Sequence, residues 1–271
     1  MLVQPFFLES AGHRCFALYR GPEGGASRHV LFVPGFNEEM NRCRSMLTFA
    51  ATALAQQGIG SLVLDLHGTG ESEGEYADAR WDIWLRNLSD AVAWLESRGA
   101  CVALIGVRLG AVLAADWLRA APPSPARGFV LWQPVVDGKS YLNQFLRIRI
   151  AANMDRSDLP KETTQSMRDQ WARGECVEVA GYAVHPDLAQ AIDQRRLAAL
   201  VPPAGTAVSW LSHLNAATGG ATPAESQVMA AWREAGLAVD AQCFEGQAFW
   251  QVHERATAPD LVDRTCKLLA S

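Results

Sequence analysis

Residues 100–118 form an almost wholly apolar run, interrupted only by Arg108 and Asp116. The run is about as long as a bilayer-spanning helix. A central arginine alone costs about 2.5 to 3.5 kcal/mol to insert, which opposes that fate. Gly99, Gly106 and Gly110 punctuate the run where a strand, a tight turn and a helix would change direction. The expectation is therefore a buried strand over 101–105, a turn at Gly106-Val107-Arg108-Leu109-Gly110, and a helix over 109–120.

The same rhythm recurs along the chain. A buried strand over 29–33 ends at Pro34-Gly35, and a helix follows over 44–57 with Met46, Leu47, Ala50, Ala53 and Leu54 at helical spacing before Gly58. A strand over 61–66, a helix over 79–96 and a strand over 128–132 continue it, after an early antiparallel strand over 15–19. Strand alternating with helix predicts an α/β chain with a mostly parallel central sheet and helices on both faces. The charged segment 137–196 breaks the rhythm with helices expected over 141–150 and 163–173, and reads as a helical cap insertion. Strands resume over 207–211 and 238–244, and a helix over 261–269 closes the chain. The expected division is a core of 1–136 and 197–271, with the cap at 137–196.

Composition removes several classes of function. A formal net charge of -5 without a Lys/Arg-rich run leaves nucleic acid an unexpected partner. The six cysteines have neither metal-ligand spacing nor the density of a disulfide scaffold, so a reduced, cytoplasmic protein without metal or cofactor is expected. The N-terminus lacks the charged and long apolar regions of a signal peptide and reads as mature from residue 1.

In such sheets ligands gather past the C-terminal ends of the strands. Past the first buried strand stands Pro34-Gly35-Phe36-Asn37-Glu38-Glu39-Met40-Asn41, and past the second Asp65-Leu66-His67-Gly68-Thr69-Gly70-Glu71-Ser72. The third ends in the Gly-x-Arg-x-Gly turn, and His253 lies eight residues beyond Glu245. This order resembles the α/β-hydrolase fold over nearly the whole chain, with Phe36, Asn37, Glu38 and Glu39 in the position of its oxyanion loop and Arg108 in that of its nucleophile. Glu38-Glu39-Met40-Asn41, Asp78-Ala79-Arg80-Trp81, the arginine turn, Leu131-Trp132-Gln133-Pro134-Val135-Val136 and Val177-Glu178-Val179-Ala180-Gly181-Tyr182 are similar to the exosortase A system-associated hydrolase 2 family. That resemblance implies a setting of protein sorting with exopolysaccharide production, and a label of hydrolase inherited from the fold.

The residues support only part of a hydrolase. A guanidinium is protonated at every physiological pH and has no acceptor, so Arg108 cannot attack a carbonyl. His253 stands where the resemblance places a general base, and Asp137 is the fallback acid, with capping of the cap's first helix as its alternative role. Ser72 and Cys43 are the nearest substitute nucleophiles, fitting loop-stabilising and packing roles better. His67 reads as a hydrogen-bonder of its loop.

A cation at a helix N-terminus, flanked by Val107 and Leu109, can instead bind a carboxylate or phosphate. Glu38 or Glu39 could supply that carboxylate from within the chain. The readings left open are a non-hydrolytic protein that binds an anionic small molecule or a protein partner, a hydrolase or acyltransferase that uses His253 with another nucleophile, and a structural partner of the sorting machinery.

Overall fold

A computed structural model describes residues 1–120, 128–154, 161–214, 219–252, 254 and 256–270. The apolar runs become the central strands. β3 (Arg28–Val33), β4 (Ile59–Leu64), β5 (Ala100–Val107) and β6 (Gly128–Trp132) lie side by side and are buried almost throughout, which is why they read as continuous hydrophobic stretches.

With β1 (Leu2–Ser10), β2 (His13–Gly21), β9 (Val208–His213) and β10 (Val239–Phe244), they make one eight-stranded sheet ordered β1-β2-β4-β3-β5-β6-β9-β10. The pairs β1–β2 and β2–β4 are antiparallel and the rest are parallel. The expected mostly parallel α/β-hydrolase sheet is therefore present. β1 was not expected from the sequence. It is an edge strand exposed along most of its length, so it carries no clear apolar alternation, and Ala11 and Gly12, both at positive φ, turn it into β2.

Period-two alternation divides the core between two faces. Val30, Phe32, Ile105, Val107 and Trp132 point toward α1 (Glu38–Gln56) and α8 (Pro259–Ala270). Leu31, Val33, Leu104 and Leu131 point toward α2 (Trp81–Glu96), α3 (Leu109–Ala120) and α7 (Pro223–Glu234). Tryptophans spread through this interior are held by their indole N–H groups: Trp84 donates to His67 O at 2.9 Å, Trp132 to Thr265 Oγ1 at 3.0 Å and Trp232 to Leu197 O at 3.2 Å. Among the described residues no helix is long and apolar enough to cross a membrane.

Between β6 and β9 the chain builds α4 (Gly138–Ala152), α5 (Thr164–Ala172), a small hairpin of β7 (Val177–Val179) and β8 (Tyr182–Val184), and α6 (Pro186–Asp193). An isolated antiparallel bridge joins Asp137 to Arg196, at the two ends of this segment. A second tie reaches deeper. Asp116, buried in α3, accepts from Trp81 Nε1 and Arg195 Nε, each at 2.8 Å, and from Arg119 at 2.9 Å. The Arg195 guanidinium also lies 4.5 Å from the Trp81 ring centroid.

Burial alone would raise the Asp116 carboxyl, but the hydrogen bonds from Trp81 and Arg195 outweigh it and hold the group below the ordinary carboxylate range. Its stabilisation is thus present above about pH 4 and lost as pH falls through the lowered folded value. Asp116→Ala, which leaves Arg195 and the indole unpaired, is expected to lower stability by about 3 kcal/mol in urea denaturation at pH 7. Asp116→Asn should also flatten the acid limb of the stability–pH curve; an unchanged limb would rule this carboxylate out as its source.

Candidate functional site

The turn between β5 and α3 is built by close approach. A Cβ on Gly106 would stand 2.5 Å from Ala111 Cα, and one on Gly110 would stand 2.2 Å from Pro34 O, so only glycine fits either place. Between them Arg108 adopts φ 54°, uncommon for a residue with a side chain. Its backbone is fixed on both sides: its N–H donates to Trp132 O at 3.1 Å, and its carbonyl accepts from Ala111 N at 3.1 Å and Val135 N at 3.2 Å. Val107 and Leu109 on either side are buried in opposite halves of the core.

The Arg108 side chain crosses to the first turn of α1. Its Nε and Nη2 donate to Glu39 Oε1 at 3.2 and 3.0 Å, and its Nη1 donates to Gln133 O at 2.9 Å. The two side chains are only 13% and 18% exposed, so their mutual attraction is weakly screened. Burial works against the guanidinium charge, but Glu39 more than offsets it and raises the Arg108 pKa. Glu39 Oε2 accepts from the Tyr141 hydroxyl at 2.9 Å. Burial, reinforced by Glu39, pushes that phenol well above its ordinary value, so it stays a donor.

Glu38 makes the parallel contact: Tyr182 donates to its Oε1 at 2.9 Å, and Asn41 Nδ2 donates to the Tyr182 oxygen at 3.1 Å. Burial and the Glu38 bond push the Tyr182 hydroxyl up to about 12. Consecutive glutamates of α1 thus hold tyrosines from α4 and β8. Their place at a helix N-terminus suits the negative charge.

Above these contacts opens a cavity of 690 Å³, within the usual range for small-molecule sites. Phe36, Phe145, Ile148 and Trp250 supply apolar wall, and Phe36 packs edge-on against Tyr76, Trp84, Tyr141 and Phe145. Asn37 lines the same cavity at φ 53°, ψ -130°; its side-chain Nδ2 and Oδ1 are both buried and have no hydrogen-bond partner among the described residues.

Other expected site residues lie elsewhere. His253 is outside the described residues. Asp137 caps α4, accepting from Ser140 N at 2.6 Å, and pairs with Arg196; both interactions hold the base of the insertion. Ser72 donates to Asp65 O at 2.6 Å and accepts from Phe16 N at 2.8 Å. The Cys43 thiol is buried in α1, and burial raises its pKa. Neither lines the cavity. At His67 the backbone does the hydrogen bonding, with Asn87 and Trp84, while the ring stacks on His13 and its Nδ1 has no partner among the described residues.

Gln133, just past β6, went unrecognised in the sequence although it lies at a strand's C-terminal end. It sits at φ 42°, its carbonyl accepts from Arg108, and its Oε1 accepts from His213 N at 2.5 Å. Tyr141 and Tyr182 were equally hidden, since only folding of the insertion brings them to α1.

Removing one partner of the Arg108–Glu39 pair leaves a buried charge unmatched. Arg108→Met and Glu39→Met are each expected to cost about 3 kcal/mol in chemical denaturation, and the double variant to recover much of the loss. Additive losses would show that the two charges are not coupled.

Comparison with known proteins agrees with this architecture. The family described as Serine aminopeptidase, S33 matches over residues 24–201. No curated protein gives a significant match. Among solved structures, Est1E from Butyrivibrio proteoclasticus with ferulic acid bound superposes with a TM-score of 0.66 at 12% identity, covering 97% of each chain. Proline iminopeptidase from Mycobacterium smegmatis gives 0.60 at 12% identity, covering 98% of this chain and 96% of its own. A thermophilic esterase from Thermogutta terrifontis gives 0.58 at 17% identity, with coverages of 98% and 96%. At such identities the structural likeness shows the fold alone, whereas the family match spans well over half of the sequence. The chain belongs to the Serine aminopeptidase, S33 family of α/β-hydrolases.

Proposed function

We infer that this is a non-hydrolytic member of the fold, in which Arg108 takes the place of the elbow serine and the cavity recognises a small molecule or a partner protein. The observation that carries the reading is Arg108 itself, on an intact strand–turn–helix elbow at φ 54°, with its guanidinium on Glu39. An always-protonated group without an acceptor lone pair cannot form an acyl intermediate. Glu39 also supplies the cation with an internal carboxylate, so an anionic ligand at Arg108 meets a charge that is already matched.

The motifs similar to the exosortase A system-associated hydrolase 2 family support a setting in protein sorting and exopolysaccharide production. Membership of the S33 family favours a second reading, a hydrolase using His253 with a nucleophile other than Arg108.

Assays with p-nitrophenyl esters and aminoacyl p-nitroanilides separate the two. Purified protein is expected to show no turnover above background, and His253→Ala no change. Turnover lost on Arg108→Ala would overturn the first reading, and turnover lost on His253→Ala would establish the second.

A further inference from the structure

β1 closes one edge of the sheet, and the free side of an edge strand is a row of backbone groups open to another strand. Which residues carry that row follows from β2. Arg14 N donates to Glu73 Oε2 at 2.9 Å and Phe16 N to Ser72 Oγ at 2.8 Å, while their carbonyls accept from Glu73 N and Asp65 N, each at 2.9 Å. These even residues of β2 turn away from β1, so the odd ones bond the even residues of β1 opposite them. Val3, Pro5, Phe7 and Glu9 are left with their backbone groups on the free edge. Pro5 stands where its missing N–H costs the sheet no bond.

The same residues share one face. The even side chains of β1 pack toward α2, with Phe6 stacked on Trp94 at 4.6 Å and Ser10 donating to Asp90 at 2.6 Å. The odd ones point the other way, and Val3 and Phe7 are 45% and 49% exposed. On that face Phe16 lies opposite Phe7, Leu18 opposite Pro5 and Arg20 opposite Val3. An apolar strip is thus open beside the edge, with Glu9 at one end and Arg20 at the other. Neither side chain has an ion-pair partner among the described residues. Arg14, opposite Glu9, is committed to Glu73 at 2.7 Å. Burial lowers the Arg20 pKa, and no carboxylate offsets it.

We propose that β1 pairs antiparallel with β1 of a second copy of this chain, about a two-fold axis through Phe6, joining the two sheets into one. Val3 then faces the partner's Glu9, and Pro5 faces the partner's Phe7. Every outward N–H meets a carbonyl, and only the Phe7 carbonyl goes without a donor. A shift of two residues sets Pro5 against the partner's Pro5 or carries Val3 into the partner's turn at Ala11 and Gly12. The charges select this occupant over an unrelated strand. Across the joined sheet one row runs Arg20, Val3, the partner's Glu9, with about 10 Å between the outer two backbones. Those two long side chains can meet over the small Val3, and symmetry makes the pair twice. Each copy therefore supplies the carboxylate that Arg20 lacks within its own chain. None of these residues lines the cavity beside Arg108, so the proposal is independent of what that cavity binds.

Sedimentation equilibrium of the full chain is expected to show a monomer–dimer equilibrium in the micromolar range that weakens with added salt. Glu9→Arg and Arg20→Glu each oppose like charges at both ends of the interface, and each should weaken the dimer roughly tenfold or more. Mixed in equal amounts, the two variants should form a heterodimer of about wild-type affinity, because every pair is again one of opposite charge. A wild type that stays monomeric, a charge variant that dimerises as the wild type does, or a mixture no tighter than its components would overturn the proposal. Should thermal unfolding show that either charge variant does not fold, Phe7→Glu carries the test. It places a carboxylate in the apolar strip, and a dimer of undiminished affinity in that variant would equally overturn the pairing.

Discussion

The ion pair between Arg108 and Glu39 links the parts of this molecule that otherwise have separate reasons to exist. Arg108 stands on the turn forced by the packing of α3 against β3 and β5, and Glu39 begins the helix on the opposite face of the sheet. Tyr141, from the segment inserted after β6, completes the contact on the second carboxylate oxygen. The two faces and the insertion therefore meet at one carboxylate. Buried charge of this kind adds little net stability compared with apolar packing, because desolvation consumes much of the attraction. What it does supply is alternatives removed: a guanidinium donating from each of its three nitrogens and a carboxylate with both oxygens in use have few other arrangements of similar energy.

A second charged centre supports the first from below. Asp116 joins α3 to Arg195 at the far end of the insertion, while Asp137 and Arg196 close its neck. The helix that carries the elbow is thus tied to the insertion at both ends, through Arg108 and Tyr141 at its start and through Asp116 further along. Seating of the cavity wall and position of the elbow are one problem in packing, and neither can shift without disturbing charges buried in the other.

Much of this was legible in the sequence, for definite reasons. Strands buried on both faces announce themselves as unbroken apolar runs, and the elbow does so because two glycines are sterically compulsory around one side chain. The edge strand β1, the short β7–β8 hairpin and helices α6 and α7 were not recognised, since their apolar residues are few or belong to brief elements. Site residues divided in the same way. Arg108 and the glutamates of α1 follow strand ends and can be found by position. Tyr141 and Tyr182 take their roles from a meeting of distant segments that position alone does not mark, whereas Gln133 follows a strand end and could have been found in the same way as Arg108. Asp137 shows the converse, a carboxylate well placed along the chain whose oxygens are occupied by a helix cap and an arginine.

Adjacent glutamates on one helical turn give the insertion two separate fastenings, Glu38 to the β8 tyrosine and Glu39 to the α4 tyrosine. With Arg195 on Asp116 and Arg196 on Asp137 at its neck, the insertion is anchored at its base as well as at α1. Loss of either tyrosine bond therefore leaves it held by the other and by its base, so the first turn of α1 acts as a redundant anchorage of the roof as well as part of the cavity wall.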